Sequence, residues 1–116
     1  MSKRAFSPII LIAVLFALMV SAQGHAGFTG VITDSMCENG DHSAMRMGPT
    51  DADCTKACVE DHGAAYVLYD GKNAYFLDDQ KTPEKFTGKK VVITGTLDTA
   101  KKTIHVDKIV LASGKQ

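Results

Sequence analysis

The residues of this 116-residue chain most able to do chemistry are cysteines and histidines that fall close together. They are Cys37, His42, Cys54, Cys58 and His62. Thiolates and imidazoles are the ligands that zinc takes in closed tetrahedral sites, so this cluster favours a metal site. The gaps differ from the tight spacing of zinc fingers and ribbons, and they therefore indicate no particular class of zinc module.

Helical geometry divides these residues into two groups. Residues four apart on a helix share a face, so Cys54, Cys58 and His62 would form one stripe if this segment is helical. Cys37 and His42 come from the polar segment that precedes it. We predict a Cys3His site in which Cys37, Cys54 and Cys58 are thiolate ligands and His42 is the fourth, with His62 in reserve.

The same residues leave the identity of the metal open between zinc and copper. Three thiolates and an imidazole suit a structural zinc ion. Soft thiolates with Met36, Met45 and Met47 nearby would equally suit cuprous copper. Thioethers in irregular loops more often fill gaps than bind metals, and we interpret these three methionines in that way.

Two alternatives use the cysteines without a metal. In a disulfide, Cys37 would join Cys54 or Cys58 and leave one free thiol, because the Cys54 and Cys58 side chains run parallel along a helix. The chain would then be a disulfide-stapled envelope module for binding or interaction. A thiol-redox protein is the other alternative, although the two-residue gap of thioredoxin-like motifs is absent.

Other kinds of chemistry lack a signature in this sequence. It has no Gly-x-Ser-x-Gly motif, no phosphate-binding loop and no Cys-x-x-Cys-His motif for covalent haem. We therefore expect a non-catalytic protein rather than an enzyme. The chain has no basic stripe and carries 13 basic against 13 acidic residues, which argues against nucleic acid as a partner. The sequence names no protein partner.

The first residues have the pattern of a secretory signal peptide. Lys3 and Arg4 precede an uncharged apolar run, and small residues surround Ala22 and Ala26. We expect cleavage after Ala22, or alternatively after Ala26, which leaves residues 23–116 as one domain. The predicted location is periplasmic or secreted. Because the apolar run is short for a membrane span, we expect membrane contact only through the uncleaved leader.

Hydrophobic periodicity predicts the elements that position the cysteines. A helix is expected over residues 50–62, with Thr50 as N-cap, Asp53 completing a capping box and Gly63 ending it. The predicted strands are 27–33, 65–69, 74–77, 89–97 and 103–111. An apolar phase slip in the last strand predicts a bulge.

These elements predict a mainly β fold. We expect a small five-stranded OB-like barrel with one short helix and a long Cys/His-containing loop. A flat antiparallel sheet backed by the helix is the alternative. Asp34, at the end of the first strand, is predicted to shape the turn into the loop.

A combined pattern runs through most of the chain after the leader. Its parts are Asp-Ser-x-Cys at 34–37, His42, Cys-x-x-x-Cys at 54–58, Tyr-Val-Leu at 66–68 and Gly-Lys-x-Val-x-Ile-Thr-Gly at 88–95. This pattern resembles a group of small secreted bacterial proteins that are OB-like in their second half and have no assigned activity. The resemblance implies that Cys37, His42, Cys54 and Cys58 are the site residues. His62 and the methionines lie outside the shared pattern.

Overall fold

The computed structural model describes residues 25–112, so the predicted signal peptide lies outside the described residues. Within that range the chain is mainly β, as predicted. Its elements are β1 (Ala26–Asp34), α1 (Asp51–His62), β2 (Tyr66–Tyr69), β3 (Ala74–Leu77), a 3₁₀ helix (Thr82–Phe86), β4 (Lys90–Asp98) and β5 (Thr103–Leu111). Among these residues, no helix has the length and apolarity needed to cross a membrane.

The five strands form one sheet in which β1 has two partners. The C-terminal half of β1 pairs with β2, and its N-terminal part pairs with β4, both antiparallel. The pairing continues from β2 to β3 and from β4 to β5, again antiparallel. A short parallel pairing of β3 with β5 completes the order β1-β2-β3-β5-β4, which closes on itself.

The predicted bulge lies where β4 and β5 change register. The shift falls between Thr94 and Gly95, and it leaves Asp107 of β5 without a residue opposite it. Gly95 is required at this point, because a Cβ there would collide with the carbonyl oxygen of His105. The bulge predicted from the phase slip of the last strand is thus confirmed.

The core of the sheet consists mainly of aliphatic side chains from all five strands. Its buried members are Ile32, Tyr66, Leu68, Leu77, Val91, Ile93, Ile104 and Ile109. They follow the period-two alternation expected of strands with one buried face. Full burial of an aliphatic side chain contributes about 1.5–3 kcal/mol, so hydrophobic burial is the main stabilising term of the sheet.

Both ends of α1 have the capping residues that the sequence predicts. The Thr50 hydroxyl accepts the backbone N–H of Asp53 at 3.1 Å and donates to the Asp53 carboxylate oxygen Oδ2 at 2.8 Å. Gly63 ends the helix in the left-handed conformation, with φ of 69°. Local capping, not tertiary packing, therefore defines where this helix begins and ends.

The face that α1 buries is small and carries the thiols. The buried residues of the helix are Cys54, Thr55 and Cys58. Val59 is partly buried and packs against the core of the sheet. Because no long aliphatic side chain of α1 is fully buried, little hydrophobic area attaches the helix to the sheet.

Candidate metal centre

The site begins at the last residue of β1. Asp34 is fully buried, and its Oδ1 accepts the backbone N–H groups of Met36 and Cys37, each at 3.0 Å. These bonds form an Asx turn that reverses the chain, which confirms the turn-shaping role predicted for Asp34. The other carboxylate oxygen, Oδ2, has no hydrogen-bond partner. One oxygen of Asp34 thus fixes the turn and leaves the other one free to bind a ligand.

His42 faces this free oxygen. Its side chain is 2% exposed, and its Nδ1 lies 4.0 Å from Asp34 Oδ2. That separation is too long for a hydrogen bond, and Nδ1 has no other partner. Buried polar atoms are nearly always satisfied in folded proteins. Two such atoms facing each other therefore indicate a site for a cation between them.

Cys37 completes a three-residue group with these two side chains. The potential ligand atoms of Asp34, Cys37 and His42 all lie within 4.8 Å of one another, and all three residues are buried. The buried Thr33 hydroxyl donates to the Cys37 carbonyl at 2.9 Å, which anchors this part of the turn. A carboxylate, a thiolate and an imidazole this close together are near enough to bind one metal ion.

Local turns in the loop bring His42 back to the end of β1. The backbone N–H of Asp41 donates to Asn39 Oδ1, and that of Ser43 donates to Asp41 Oδ1, each at 3.0 Å. Asp and Asn favour such side-chain-to-backbone turns. The loop is therefore held by its own short-range hydrogen bonds, although it contains no regular secondary structure.

The two helix thiols lie on the buried side of α1. Cys54 and Cys58 are 0% exposed, and both are free thiols, as is Cys37. Cys54 Sγ accepts the Met47 N–H and donates to the Met45 carbonyl, both at 3.4 Å. Cys54 thus connects the helix to the loop. Within the described residues, the thiol of Cys58 makes no such hydrogen bond to the loop backbone.

The charge of Asp34 acts on two of the three thiols, Cys37 and Cys58. Burial raises the pKa of Cys58 to about 11, and the negative charge of Asp34 is the next largest cause. The same two causes, in the same order, raise the pKa of Cys37, and the neighbouring Cys54 adds to both shifts. The Cys37 and Cys58 thiols are therefore protonated at neutral pH, and a metal ion that binds them must displace their protons.

The predicted site residues thus fall into three groups. Cys37 and His42 lie together beside Asp34, and Cys54 and Cys58 lie on the buried face of α1. His62 is exposed in the last turn of the helix.

The ligand capacity of Asp34 was not predicted from the sequence, in which this residue indicated only a turn. A carboxylate at the end of an apolar strand, three positions before a cysteine, is the signal that was available.

The methionines of the loop, which the sequence analysis interprets as gap-fillers, are partly exposed. Met36, Met45 and Met47 are 40%, 43% and 37% exposed. Their backbones are held by the Asx turn and by the Cys54 thiol, while their side chains are partly open to solvent. The three thioethers therefore belong to the outer surface of the loop.

Comparison of the chain with protein-family models, with curated proteins and with solved structures found no match. What the protein does must therefore be inferred from the geometry of this site.

Proposed function

We propose that this chain is a non-catalytic metal-binding module of the periplasm or the extracellular space, built on an OB-like barrel. The observation that carries the proposal is the pair of buried atoms, Asp34 Oδ2 and His42 Nδ1, which face each other at 4.0 Å without hydrogen bonds. A cation bound to both would satisfy two groups whose burial otherwise costs free energy. The closed order of five strands supports the OB-like description.

The donor set suits a tetrahedral ion whose ligands come from two elements. Asp34, Cys37 and His42 supply three ligands from the end of β1 and the loop. We propose that the helix supplies the fourth ligand through Cys58 rather than Cys54, because the Cys54 thiol already bonds to the loop backbone. This set replaces one thiolate of the predicted Cys3His site by a carboxylate. Zinc and copper ions both take nitrogen and sulfur ligands, so the proposed ion of the buried site is zinc or copper.

Metal content of single variants tests the proposal. We expect protein purified from the cell envelope to hold one ion, as measured by elemental analysis and native mass spectrometry. Asp34→Asn, Cys37→Ser and His42→Ala should each lower the affinity by on the order of tenfold or more, because each removes a ligand. His62→Ala is the matched control, since His62 is exposed, and it should retain the ion. A His42→Ala protein with wild-type metal content would contradict the proposal.

The second candidate is a disulfide-stapled envelope module for binding or interaction. The observation that favours it is the burial of all three thiols at the contact between the loop and α1. A bond between Cys37 and a helix cysteine would attach α1 to β1 without an ion. Intact mass under non-reducing conditions distinguishes the two candidates. Loss of two hydrogen atoms with no metal would select the disulfide, and a bound ion with three alkylatable thiols would select the metal site.

Export is part of the proposal, and the signal-peptide pattern of the first residues supports it. N-terminal sequencing of protein from the cell envelope should give Gln23 or Gly27 as the first residue. A start at Met1 or Ser2 on membrane-bound material would contradict this part of the proposal.

A further inference from the structure

A pocket of about 420 Å³ opens to solvent beside the candidate metal centre and shares Cys37 with it. The residues that line it are Ser35, Met36, Cys37, Glu38, Asn39, Asp41, Ala44 and Met45. Cys37 is 6% exposed and belongs both to this pocket and to the buried group with Asp34 and His42. The Cys37 residue therefore connects the solvent-facing pocket with the buried ligands.

The chemistry of this pocket differs from that of the buried group. Met36 and Met45 place two thioether-bearing side chains at the pocket, and each is at least 40% exposed. Within residues 25–112 the exposed large apolar side chains are few, and three of them are methionines of this one loop. Thioethers bind cuprous copper well and zinc poorly, because soft ligands prefer soft ions.

The charge of the pocket also favours a cation. Glu38 and Asp41 line it, and no lysine or arginine does. Carboxylates at the mouth of a cleft raise the local concentration of cations. The carboxylates of the pocket thus attract cations, and its thioethers favour a soft cation over a hard one.

We propose that this pocket is the loading site for cuprous copper, in which Met36 and Met45 bind the incoming ion and transfer it to Cys37. The inference rests on the proposed metal-binding function and adds the ion that enters and the route it takes. The transfer is a ligand exchange. A copper–thioether bond breaks as a copper–thiolate bond forms, the Cys37 thiol proton passes to water, and copper remains in the cuprous state.

The loop offers a matched pair of variants for the test. Met36→Leu with Met45→Leu removes both pocket thioethers at nearly constant volume. Met47→Leu removes an equally exposed thioether of the same loop that does not line the pocket. The full chain with reduced thiols is mixed with cuprous copper as its bicinchoninate complex, and uptake is followed by loss of the complex's absorbance. Zinc uptake is measured in parallel.

We expect the double variant to load cuprous copper more slowly by on the order of tenfold, with unchanged final stoichiometry. The Met47→Leu control should load at the wild-type rate, and zinc uptake should be the same in all three proteins. A double variant that loads copper at the wild-type rate would overturn the inference, as would equal slowing of zinc or a wild-type chain that takes up zinc but no copper. A wild-type chain that takes up neither ion would overturn the proposed function as well.

Discussion

The sheet and the layer formed by residues 35–62, which we call the loop–helix layer, are stabilised in different ways. The sheet has an aliphatic core that includes Ile32, Leu68 and Ile93, all of them fully buried. The fully buried side chains of the loop–helix layer are Cys54, Thr55 and Cys58. Aliphatic burial is non-directional and tolerates small movements, whereas thiols and carboxylates stabilise only through specific partners.

This difference indicates a division of tasks between the two regions. The sheet is stabilised mainly by hydrophobic burial and provides the strand end at Asp34. The loop–helix layer gains most when a ligand satisfies the buried His42 Nδ1 of the layer together with Asp34 Oδ2 at the end of β1. Metal binding should therefore act mainly on the layer, and core substitutions should act on the whole domain.

The largest expected effect is on the sheet. Ile93→Ala should lower the free energy of unfolding by about 2–5 kcal/mol, because it leaves a cavity in the core. Phe76→Ala is the control, since that side chain is 42% exposed, and its effect should be much smaller. Urea denaturation measures both, with and without chelator. Equal losses for the two variants would contradict the role assigned to the core.

Metal removal should act on the other region. With the ion at 100 times its dissociation constant, binding stabilises the folded form by about 2.7 kcal/mol. A chelator should therefore speed amide hydrogen exchange in α1, while the amides of β4 stay protected. Exchange measured by mass spectrometry on peptides from each region checks this. Protection of α1 that does not change with chelator would show that the helix does not depend on the ion.

The smallest expected effect comes from a polar contact at the surface of the sheet. Asp78 Oδ1 accepts the Val106 N–H at 2.8 Å, and Oδ2 lies 3.1 Å from His105 Nδ1. The Val106 bond is the main cause that lowers the pKa of Asp78, and His105 adds to it. A carboxyl with a lowered folded-state pKa stabilises the fold above its unfolded-state pKa, and this contribution is lost as the pH falls through the folded value.

Asp78→Asn should therefore cost less than about 1 kcal/mol at neutral pH, because solvent screens a side chain that is nearly half exposed. The difference from wild type should disappear in acid, as measured by thermal melts across pH. Metal content should not change. A difference between the proteins that persists below the pKa of Asp78 would show that its charge is not what stabilises this contact.

Features of the fold that depend on local sequence could be predicted. The capping box at Thr50 and the glycine at 63 define α1, and the bulge in β5 follows from its apolar phase slip. Each of these signals lies within a few residues of the feature that it specifies. The five strands and their connections were therefore accessible from periodicity and turn chemistry.

The full ligand set could not be predicted in the same way. Asp34 has an evident local role in the turn, and its second role depends on the return of His42 to the end of β1. Loop turns produce this return of the chain, and such turns have no hydrophobic periodicity from which they could be predicted. The exposure of Met36 and Met45 likewise depends on how the loop packs on α1, which sequence spacing does not specify.

The double pairing of β1 has a consequence for the order of events during folding. In the pairing of β1 with β4, Ala26 lies opposite Gly95. These two residues are far apart in the sequence, so most of the domain must be present before they can pair. Asp34, Cys37 and His42, by contrast, lie in one short segment and close only a small loop. Loop closure costs less entropy for residues that are close in sequence. These three side chains can therefore meet around an ion before the strands have paired. The part of the candidate centre that lies in residues 34–42 can therefore come together before Ala26 pairs with Gly95.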